Sequence, residues 1–517
     1  MLIGQPAVSR RRRWLVYAAL AVVTFFFVTG SAWGNDPTGA AETGRAVFDT
    51  LYKGQPVEQA VGNNARAITY LWVAITGFLV FFMQAGFAIL EVGLTRAKNA
   101  AHTMLMNFAV FGLGALGFYV SGFALGFGGG GGIATIGGSA NLNGMFSIAE
   151  NWGLFGTKGF FLSGGGNYDV GVFLLFLFQL VFMDTAATIP TGAMAERWSF
   201  KAFVPYGFLM GAVVYPVFAS WVWGGGWLSK LGITLGLGNG YLDFAGSSVV
   251  HMVGGITGLV GAWILGPRIG KFNKDGSSNA IPGHNVPMAL LGTIILFFGW
   301  FGFNPGSTLS GLDLRFSVIM VNTLLAGCAG MVTGMATVWL KWGKPDATMA
   351  ANGALAGLVA ITAPCAFVSA EAAVLIGAIA GVLVVYSVLF IENKLKIDDP
   401  CGAISVHGVN GAWGIIALGL FADGTYGAGF NGIEGAVRGL FFGGGASQLI
   451  AQLIGLVAVF AWVVPVSFVM FKLLEKTVGL RSNPEDEIAG LDLPEIGIEA
   501  YPQHTGEGDH IVVRSPA

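Results

Sequence analysis

Two histidines lie in matching stretches of the chain and could carry chemistry together. His251 lies in DFAGSSVVHMVGGITG, which begins at Asp243, and His407 lies in DPCGAISVHGVNGAWG, which begins at Asp399. Aligned on their histidines, the stretches are identical at seven positions. A neutral imidazole donates a hydrogen bond through one ring nitrogen and accepts one through the other. A lone histidine in an apolar segment commonly joins two helices. A matched pair favours one shared site that hydrogen-bonds a small polar molecule or relays a proton.

The two aspartates stand eight residues before the histidines, where each apolar segment starts. An aspartate at the start of a helix accepts hydrogen bonds from backbone N–H groups of the first turn. Asp243 could also supply a negative potential beside a cation-binding vestibule, and the two roles are compatible. For Asp399 we favour capping alone.

The composition defines the surroundings of these residues. The chain is 54% apolar and 10% charged, with a mean hydropathy of +0.70, whereas soluble domains carry about 25% charged residues. We therefore predict an integral membrane protein. A net charge of −2 does not indicate nucleic-acid binding, and three scattered cysteines indicate neither a disulfide framework nor a zinc site. No cofactor and no metal are predicted.

The first 34 residues resemble a secretory signal peptide. Arg10 to Arg13 form a basic region, Trp14 to Val28 form a short apolar region, and Ala32 to Gly34 supply small residues for cleavage. An uncleaved first helix is the alternative. In either case residues 35–67 are expected on the outside of the membrane.

Eleven apolar segments of about bilayer length follow and define a transmembrane domain at 68–474. They lie near 68–92, 104–127, 170–195, 200–223, 243–266, 286–305, 316–340, 350–366, 371–391, 400–421 and 447–472. Lys and Arg concentrate in the odd-numbered loops. This places the N-terminus outside and the tail, 475–517, in the cytoplasm.

This orientation makes the two histidine stretches inverted copies. Asp243 then opens the fifth helix at the outer face, and Asp399 opens the tenth at the inner face. Helices 1–5 and 6–10 are predicted to be inverted repeats, with the eleventh helix additional. In such folds the site lies near the midplane at the repeat interface. Eight helical residues advance about 12 Å, so both histidines should approach the middle of the membrane.

Aromatic residues near the ends of helices have two interpretations each. Trp221 and Trp223 end the fourth helix, either within the interfacial aromatic belt or as a cation–π platform. Phe178 and Phe182 lie one turn apart, and Phe303 comes shortly before Ser307. Phenylalanines in apolar helices usually belong to the core.

Asp184 is unusual because it falls in the middle of a predicted helix. A charge there costs about 2.5–3.5 kcal/mol on insertion scales. It should be paired, protonated or hydrated, and the sequence does not identify its partner. Glu196 and Arg197, at the end of the same helix, are expected to be structural.

Several motifs together resemble the ammonium transporter (Amt/Rh) family, on its Amt branch, in a bacterial or cyanobacterial form. They are FFMQAGFAILEVGLTRAKN, TAATIPTGAMAER, DFAGSSVVH, WFGFNPGS, SVHG and GLDLPEIGIEAY. The resemblance covers about residues 68–501. This chain departs from the family pattern at Asp184, at Gly402 where some bacterial members have an acid, and in its long outer loop, 128–168.

The resemblance implies a homotrimer in the cytoplasmic membrane with one pore per subunit. It implies ammonium recruitment by Trp223 and Ser307 with support from Asp243, a gate of Phe182 and Phe303, and a twin-histidine pore of His251 and His407. Ammonium would be deprotonated and ammonia would pass the histidines, with probable net charge transfer. A PII-type regulatory protein is a possible partner of the tail. An electroneutral ammonia channel and a sensor that signals through the tail are the alternatives; an enzyme is not expected.

Overall fold

The fold consists mainly of long apolar helices. The computed structural model describes residues 57–131, 136, 142–163 and 169–502. Within these ranges ten helices are long and apolar enough to cross a membrane, and one further apolar helix of 10–17 residues is shorter. In chain order they are α1 Val57–Leu94, α2 Ala97–Phe127, α3 Val170–Met194, α4 Phe200–Val222, α5 Ser247–Leu265, α6 Val286–Thr308, α7 Phe316–Trp342, α8 Ala347–Thr362, α9 Ala370–Asn393, α10 Ile404–Phe421 and α11 Ser447–Thr477. The chain is therefore a multi-pass membrane protein.

The predicted segments correspond to these helices, and the largest difference is at the start of α1. Helix α1 is described from Val57, well ahead of the expected start at 68. Apolar composition marks the part of a helix inside the bilayer, while backbone hydrogen bonding continues beyond it. Helix α8 has 16 residues, fewer than the roughly 20 that cross a bilayer. The count of eleven spans therefore stays a prediction. The predicted signal peptide, 1–34, lies outside the described residues.

One small hairpin interrupts the all-helical architecture. Strand β1, Met145–Ser147, pairs antiparallel with β2, Gly153–Gly156, in the loop between α2 and α3. The indole of Trp221 at the end of α4 donates to the carbonyl of Leu154 in β2 at 2.9 Å. The glycine-rich composition of this loop indicated only a flexible connection.

Helix packing follows the same order in the two halves of the chain. Helix α1 contacts α3, α2 contacts α4, and α3 contacts α5; likewise α6 contacts α8, α7 contacts α9, and α8 contacts α10. Helices α1 and α6 run along each other, and the beginning of α5 contacts the beginning of α10. Helices α5 and α10 therefore meet where the two halves join.

Both of these helices begin with a π-helical turn. The turns cover Ser247–Met252 in α5 and Ile404–Val409 in α10, and each contains its histidine. A π-helical turn is rare in α-helices and occurs frequently at functional sites. The repeated sequence thus encodes a repeated backbone irregularity.

Glycines let α5 and α10 cross in backbone contact. A Cβ atom at Gly255 would lie 2.4 Å from the backbone nitrogen of Gly408, and one at Gly411 would lie 2.5 Å from the carbonyl oxygen of Ser247. No side chain fits at either point. This close approach brings the two histidine turns together.

A buried ion-pair cluster holds the segment that precedes α10. Arg268 donates to both carboxylate oxygens of Asp398 and also pairs with Glu196, which in turn pairs with Arg96. Burial raises the pKa of Asp398, but the hydrogen bonds from Arg268 and the charges of Arg197 and Arg268 hold it below its usual range. The cluster ties the ends of α3 and α5 to the start of α10, as expected for structural Glu196 and Arg197.

The tail after α11 packs against the helix ends. Asp492 accepts hydrogen bonds from the backbone N–H groups of Ala101 and His102 in α2, at 3.1 and 2.8 Å. Glu487, in the short helix Pro484–Ala489, accepts from the Ile269 N–H and pairs with Arg481. A change in the conformation of the tail would therefore alter its contacts with α2 and with the segment that follows α5.

We expect Gly255→Ala to destabilise the protein. The added methyl group meets backbone atoms that cannot rotate away, and overpacking of this kind costs about 1–3 kcal/mol. The measurement is the thermal unfolding temperature of the detergent-solubilised protein. Gly112→Ala is the control, because a Cβ there meets nothing within 4 Å. An equal or higher unfolding temperature for Gly255→Ala would contradict the crossing described here.

Candidate functional site

The two histidines contact each other at the crossing of α5 and α10. Their Nδ1 atoms are 3.2 Å apart, and their rings stack with centroids 5.2 Å apart at 25°. His251 is fully buried and His407 is 4% exposed. A hydrogen bond between two imidazole nitrogens needs a proton on one and a lone pair on the other. The contact expected from the repeat is present, and a hydrogen bond across it requires one proton between the two Nδ1 atoms.

The second ring nitrogen of His251 is buried among aromatic rings. The His251 ring stacks against Trp300 at 5.2 Å and against Phe303 at 5.4 Å. The Trp300 indole donates to the Thr362 hydroxyl and is held in place. Within the described part of the chain, Nε2 of His251 has no hydrogen-bond partner. A small polar molecule that reached this buried ring would meet one imidazole nitrogen without a partner.

Two phenylalanines pack on one side of the histidines. The rings of Phe182 in α3 and Phe303 in α6 lie 4.1 Å apart at 30°, and each is at most 1% exposed. Phe303 also contacts His251. The order across the protein is therefore Phe182, Phe303, His251 and His407.

An open cavity of about 580 Å³ lies against Phe182, and Trp223 and Ser307 line it. The Trp223 indole donates to the carbonyl of Asp243 at 2.6 Å, which orients the ring. The Ser307 hydroxyl donates to the carbonyl of Phe303 at 2.8 Å, so its oxygen keeps lone pairs for a donor in the cavity. An aromatic face and an acceptor oxygen suit a small cation that carries N–H groups. One cationic side chain, Arg66, lies at the exposed rim, where salt screens its charge.

Asp243 is buried behind the cavity and does not line it. Its carboxylate accepts from the backbone N–H groups of four residues and from a hydroxyl, at 2.6–3.0 Å; the donors are Gly246, Ser247, Ser248, Val249 and the Ser248 side chain. Burial raises the pKa of Asp243, and the hydrogen bonds from Ser248 and Val249 oppose this rise. The side chain thus caps α5, and only its backbone carbonyl touches the cavity wall, through Trp223.

Asp399 caps α10 with fewer bonds. Its carboxylate accepts from the N–H groups of Ala403 at 3.0 Å and Ile404 at 2.7 Å. Burial raises the pKa of Asp399 to about 6, against the effect of these bonds. Gly246 and Gly402 occupy equivalent positions after the two aspartates, with φ of 121° and 75°, a region that favours glycine. A residue with a side chain at 402 would therefore be strained here.

A second, very small cavity lies on the other side of the histidine pair. It has a volume of about 20 Å³, and its walls include His407, Glu91 of α1, Asn352 of α8 and Cys401. This is enough room for about one water molecule. Sequence reasoning overlooked Glu91. The available signal was an acidic residue inside the otherwise apolar run FAILEVG.

Two residues singled out in the sequence lie away from these cavities. Asp184 is 2% exposed, lines neither cavity, and its Oδ1 has no hydrogen-bond partner among the described residues. Trp221 packs on the β hairpin side of α4 and does not line the large cavity.

Comparison with known proteins identifies the family. The Ammonium Transporter Family profile matches residues 71–501. The chain belongs to this family. It is 48% identical over 486 residues to ammonium transporter Amt2 of Archaeoglobus fulgidus, covering 93% of this chain and 95% of that protein. A putative ammonium transporter of the cyanobacterium Synechocystis sp. is 38% identical over 441 residues, covering 83% and 73%.

Solved structures agree with the sequence comparison. A structure described as a sensor Amt protein superimposes with a TM-score of 0.73 at 36% identity, covering 84% of this chain and all of that one. The resemblance inferred from motifs is confirmed. The relatives are transporters, which confirms the prediction that the chain is not an enzyme.

We expect Asp243→Ala to destabilise the protein more than Asp399→Ala. The first change leaves four buried N–H groups and a hydroxyl without an acceptor, and the second leaves two N–H groups. Each unsatisfied buried donor costs about 1–3 kcal/mol. Thermal unfolding of the two purified variants gives the comparison. Asp243→Asn, which keeps one acceptor oxygen, should fall between Asp243→Ala and the unchanged protein. A smaller loss for Asp243→Ala than for Asp399→Ala would contradict this account.

Proposed function

We propose that this ammonium transporter recruits ammonium at the large cavity, removes a proton from it, and passes ammonia along the histidine pair with net transfer of charge. The observation that carries the proposal is the linear order of parts. The Trp223 and Ser307 cavity, the Phe182 and Phe303 gate and the His251–His407 pair follow one another without a gap.

Recruitment uses two acceptors of different kinds. The face of the Trp223 indole attracts a cation by cation–π interaction, worth about 0.5–2 kcal/mol. The Ser307 oxygen accepts an N–H hydrogen bond, and ammonium offers four of them. Asp243 supports this site indirectly, since its carbonyl orients Trp223 and its carboxylate contributes a negative potential from behind.

The gate and the pair select against ions that cannot lose their charge. The rings of Phe182, Phe303 and Trp300 surround the route to His251 and offer no charged partner. An ion transferred into such surroundings without compensation pays a large desolvation cost. Ammonium that reaches the end of this route can give its proton to Nε2 of His251 and continue as neutral ammonia. Potassium, although similar in size, cannot.

The histidine pair then has two tasks. The unoccupied Nε2 of His251 can hydrogen-bond the molecule that passes the gate. The Nδ1–Nδ1 contact can move a proton from one ring to the other over 3.2 Å. A proton taken from ammonium at His251 and delivered beyond His407 accompanies each ammonia, so each turnover carries one positive charge.

The architecture we propose has eleven spans, with α1–α5 and α6–α10 as inverted repeats, the N-terminus outside and the tail in the cytoplasm. The matching helix contacts of the two halves and the paired π-helical turns support the repeat. The distribution of Lys and Arg supports the orientation. By the family resemblance we further propose a homotrimer in the cytoplasmic membrane, with a PII-type protein as a partner of the tail.

A sensor role is the second candidate. It is favoured by the structural similarity to a protein described as a sensor Amt protein. The tail of this chain contacts α2 and the segment after α5, so a change in the transmembrane domain could reach a partner bound there.

An ammonium pulse on proteoliposomes separates the candidates. We expect a saturable inward current that potassium does not produce, because charge crosses with each nitrogen. Current and internal pH are recorded on the same preparation. Internal alkalinisation without current would instead mean electroneutral ammonia conduction. Folded protein that gives neither signal would favour the sensor.

We expect His407→Ala to leave ammonium binding intact and to change conduction. The binding cavity lies on the far side of the gate, while the alanine removes the proton acceptor opposite His251. Ammonium-dependent thermal stabilisation measures binding, and current with ammonium or potassium measures conduction and selectivity. Unchanged current together with unchanged potassium exclusion would contradict the role given to His407.

A further inference from the structure

Glu91 is a buried carboxylate that the proposed pathway has not used. It lies in the last turn of α1 and is 2% exposed. Among the described residues, no ion pair includes it. A buried carboxylate without a cation is costly, and its presence beside the small cavity calls for an explanation.

Neutral donors hold Glu91 in a fixed position. Asn107 of α2 donates to Oε2 at 2.7 Å, and the Thr191 hydroxyl of α3 lies 2.7 Å from both oxygens. A carboxylate has about four acceptor positions, so these two donors leave some of them open. Three helices therefore orient one carboxylate, and the small cavity lies against it.

The cavity joins Glu91 to the histidine pair. Its volume of about 20 Å³ accepts a single water molecule. Nδ1 of His407 is occupied by His251, so Nε2 is the nitrogen left for this water. A Cβ at Gly192 would lie 3.1 Å from Oε1 of Glu91 and 3.1 Å from Cβ of Cys401. The space around the carboxylate is thus too small for more than a minimal bridge.

We infer that Glu91 is the proton acceptor beyond His407 and receives, through one water molecule in this cavity, the proton that ammonium releases on the other side of the pair. The inference rests on the proposed electrogenic function and adds the residue that completes its proton route.

The step balances in protons and charge. Ammonium gives a proton to Nε2 of His251 and leaves as ammonia. The proton on Nδ1 of His251 moves to Nδ1 of His407, and the proton on Nε2 of His407 passes through the water to the Glu91 carboxylate. Each ring gains one proton and loses one, so both stay neutral and exchange tautomers. Before the next turnover each ring gives its newly gained proton to water and takes one from water at its other nitrogen, which restores the starting tautomers without returning the transferred proton. The neutral Glu91 acid then gives its proton to water at the C-terminal end of α1.

Glu91→Gln tests the carboxylate directly. The amide oxygen can still accept from Asn107, and the amide nitrogen can donate to Thr191, so the hydrogen bonds of the site can be kept without a proton acceptor. We expect current to fall about tenfold or more, in the range of lost general acid–base steps, while an ammonium pulse now alkalinises the interior. Glu91→Asp, which keeps a carboxylate, should recover part of the current.

Two further variants separate proton transfer from structure. Thr191→Val removes a hydrogen bond but keeps the carboxylate, so its charge per nitrogen should equal that of the unchanged protein even if its rate falls. Gly192→Ala keeps the carboxylate and narrows the space beside it, so it should lower the current and leave ammonia conduction. If Glu91→Gln fails to fold, the current of Gly192→Ala still tests the role of Glu91.

The outcomes distinguish this inference from the function on which it rests. No current in the unchanged protein contradicts the electrogenic function itself. Current in the unchanged protein and equal current in Glu91→Gln, or in Gly192→Ala, overturns the role of Glu91 alone. Equal loss of current and ammonia conduction in folded Glu91→Gln and Thr191→Val assigns Glu91 a structural role and also overturns the inference.

Discussion

The backbone contact between α5 and α10 is the constraint on which the rest of the site depends. The two helices leave no room for a side chain between them where Gly255 meets Gly408 and where Gly411 meets Ser247. Only at this separation do the Nδ1 atoms of the two histidines come within 3.2 Å. One added methyl group would push the π-helical turns apart and break the contact. The same crossing joins the two halves of the chain, so one backbone contact is needed both for the fold and for the site.

Because the site is buried, the hydrogen bonds within the protein determine which polar atoms can still bind a ligand. Asp243 uses its carboxylate fully on five donors, and the indoles of Trp223 and Trp300 each have an acceptor. Beside the gate, Nε2 of His251 has no partner among the described residues and the Ser307 oxygen keeps lone pairs. In surroundings where an unmatched polar group costs about 1–3 kcal/mol, such open atoms mark where a small polar ligand gains most by binding.

The two halves share a backbone design but differ in the chemistry at their ends. The side at Asp243 has a cavity of about 580 Å³ with aromatic and hydroxyl acceptors, whereas the side beyond His407 has about 20 Å³ and the Glu91 carboxylate. The first suits the capture of a cation from solution and the second the reception of a single proton. The pair of histidines in matching turns thus lies between two unlike surroundings.

The sequence by itself determined the membrane class, the approximate helices, the family and the matched histidines with their capping aspartates. These follow from local signals: apolar length, repeated spacing and motifs. The start of α1, the π-helical turns and the hairpin could not be predicted from it, because they depend on backbone hydrogen bonds and packing that composition does not encode. Only the tertiary structure brought Glu91 of α1 beside His407 of α10 and separated Asp184 from both cavities. Contacts between helices that are distant in the sequence depend on how the whole bundle packs. The local sequence around each residue does not encode this packing.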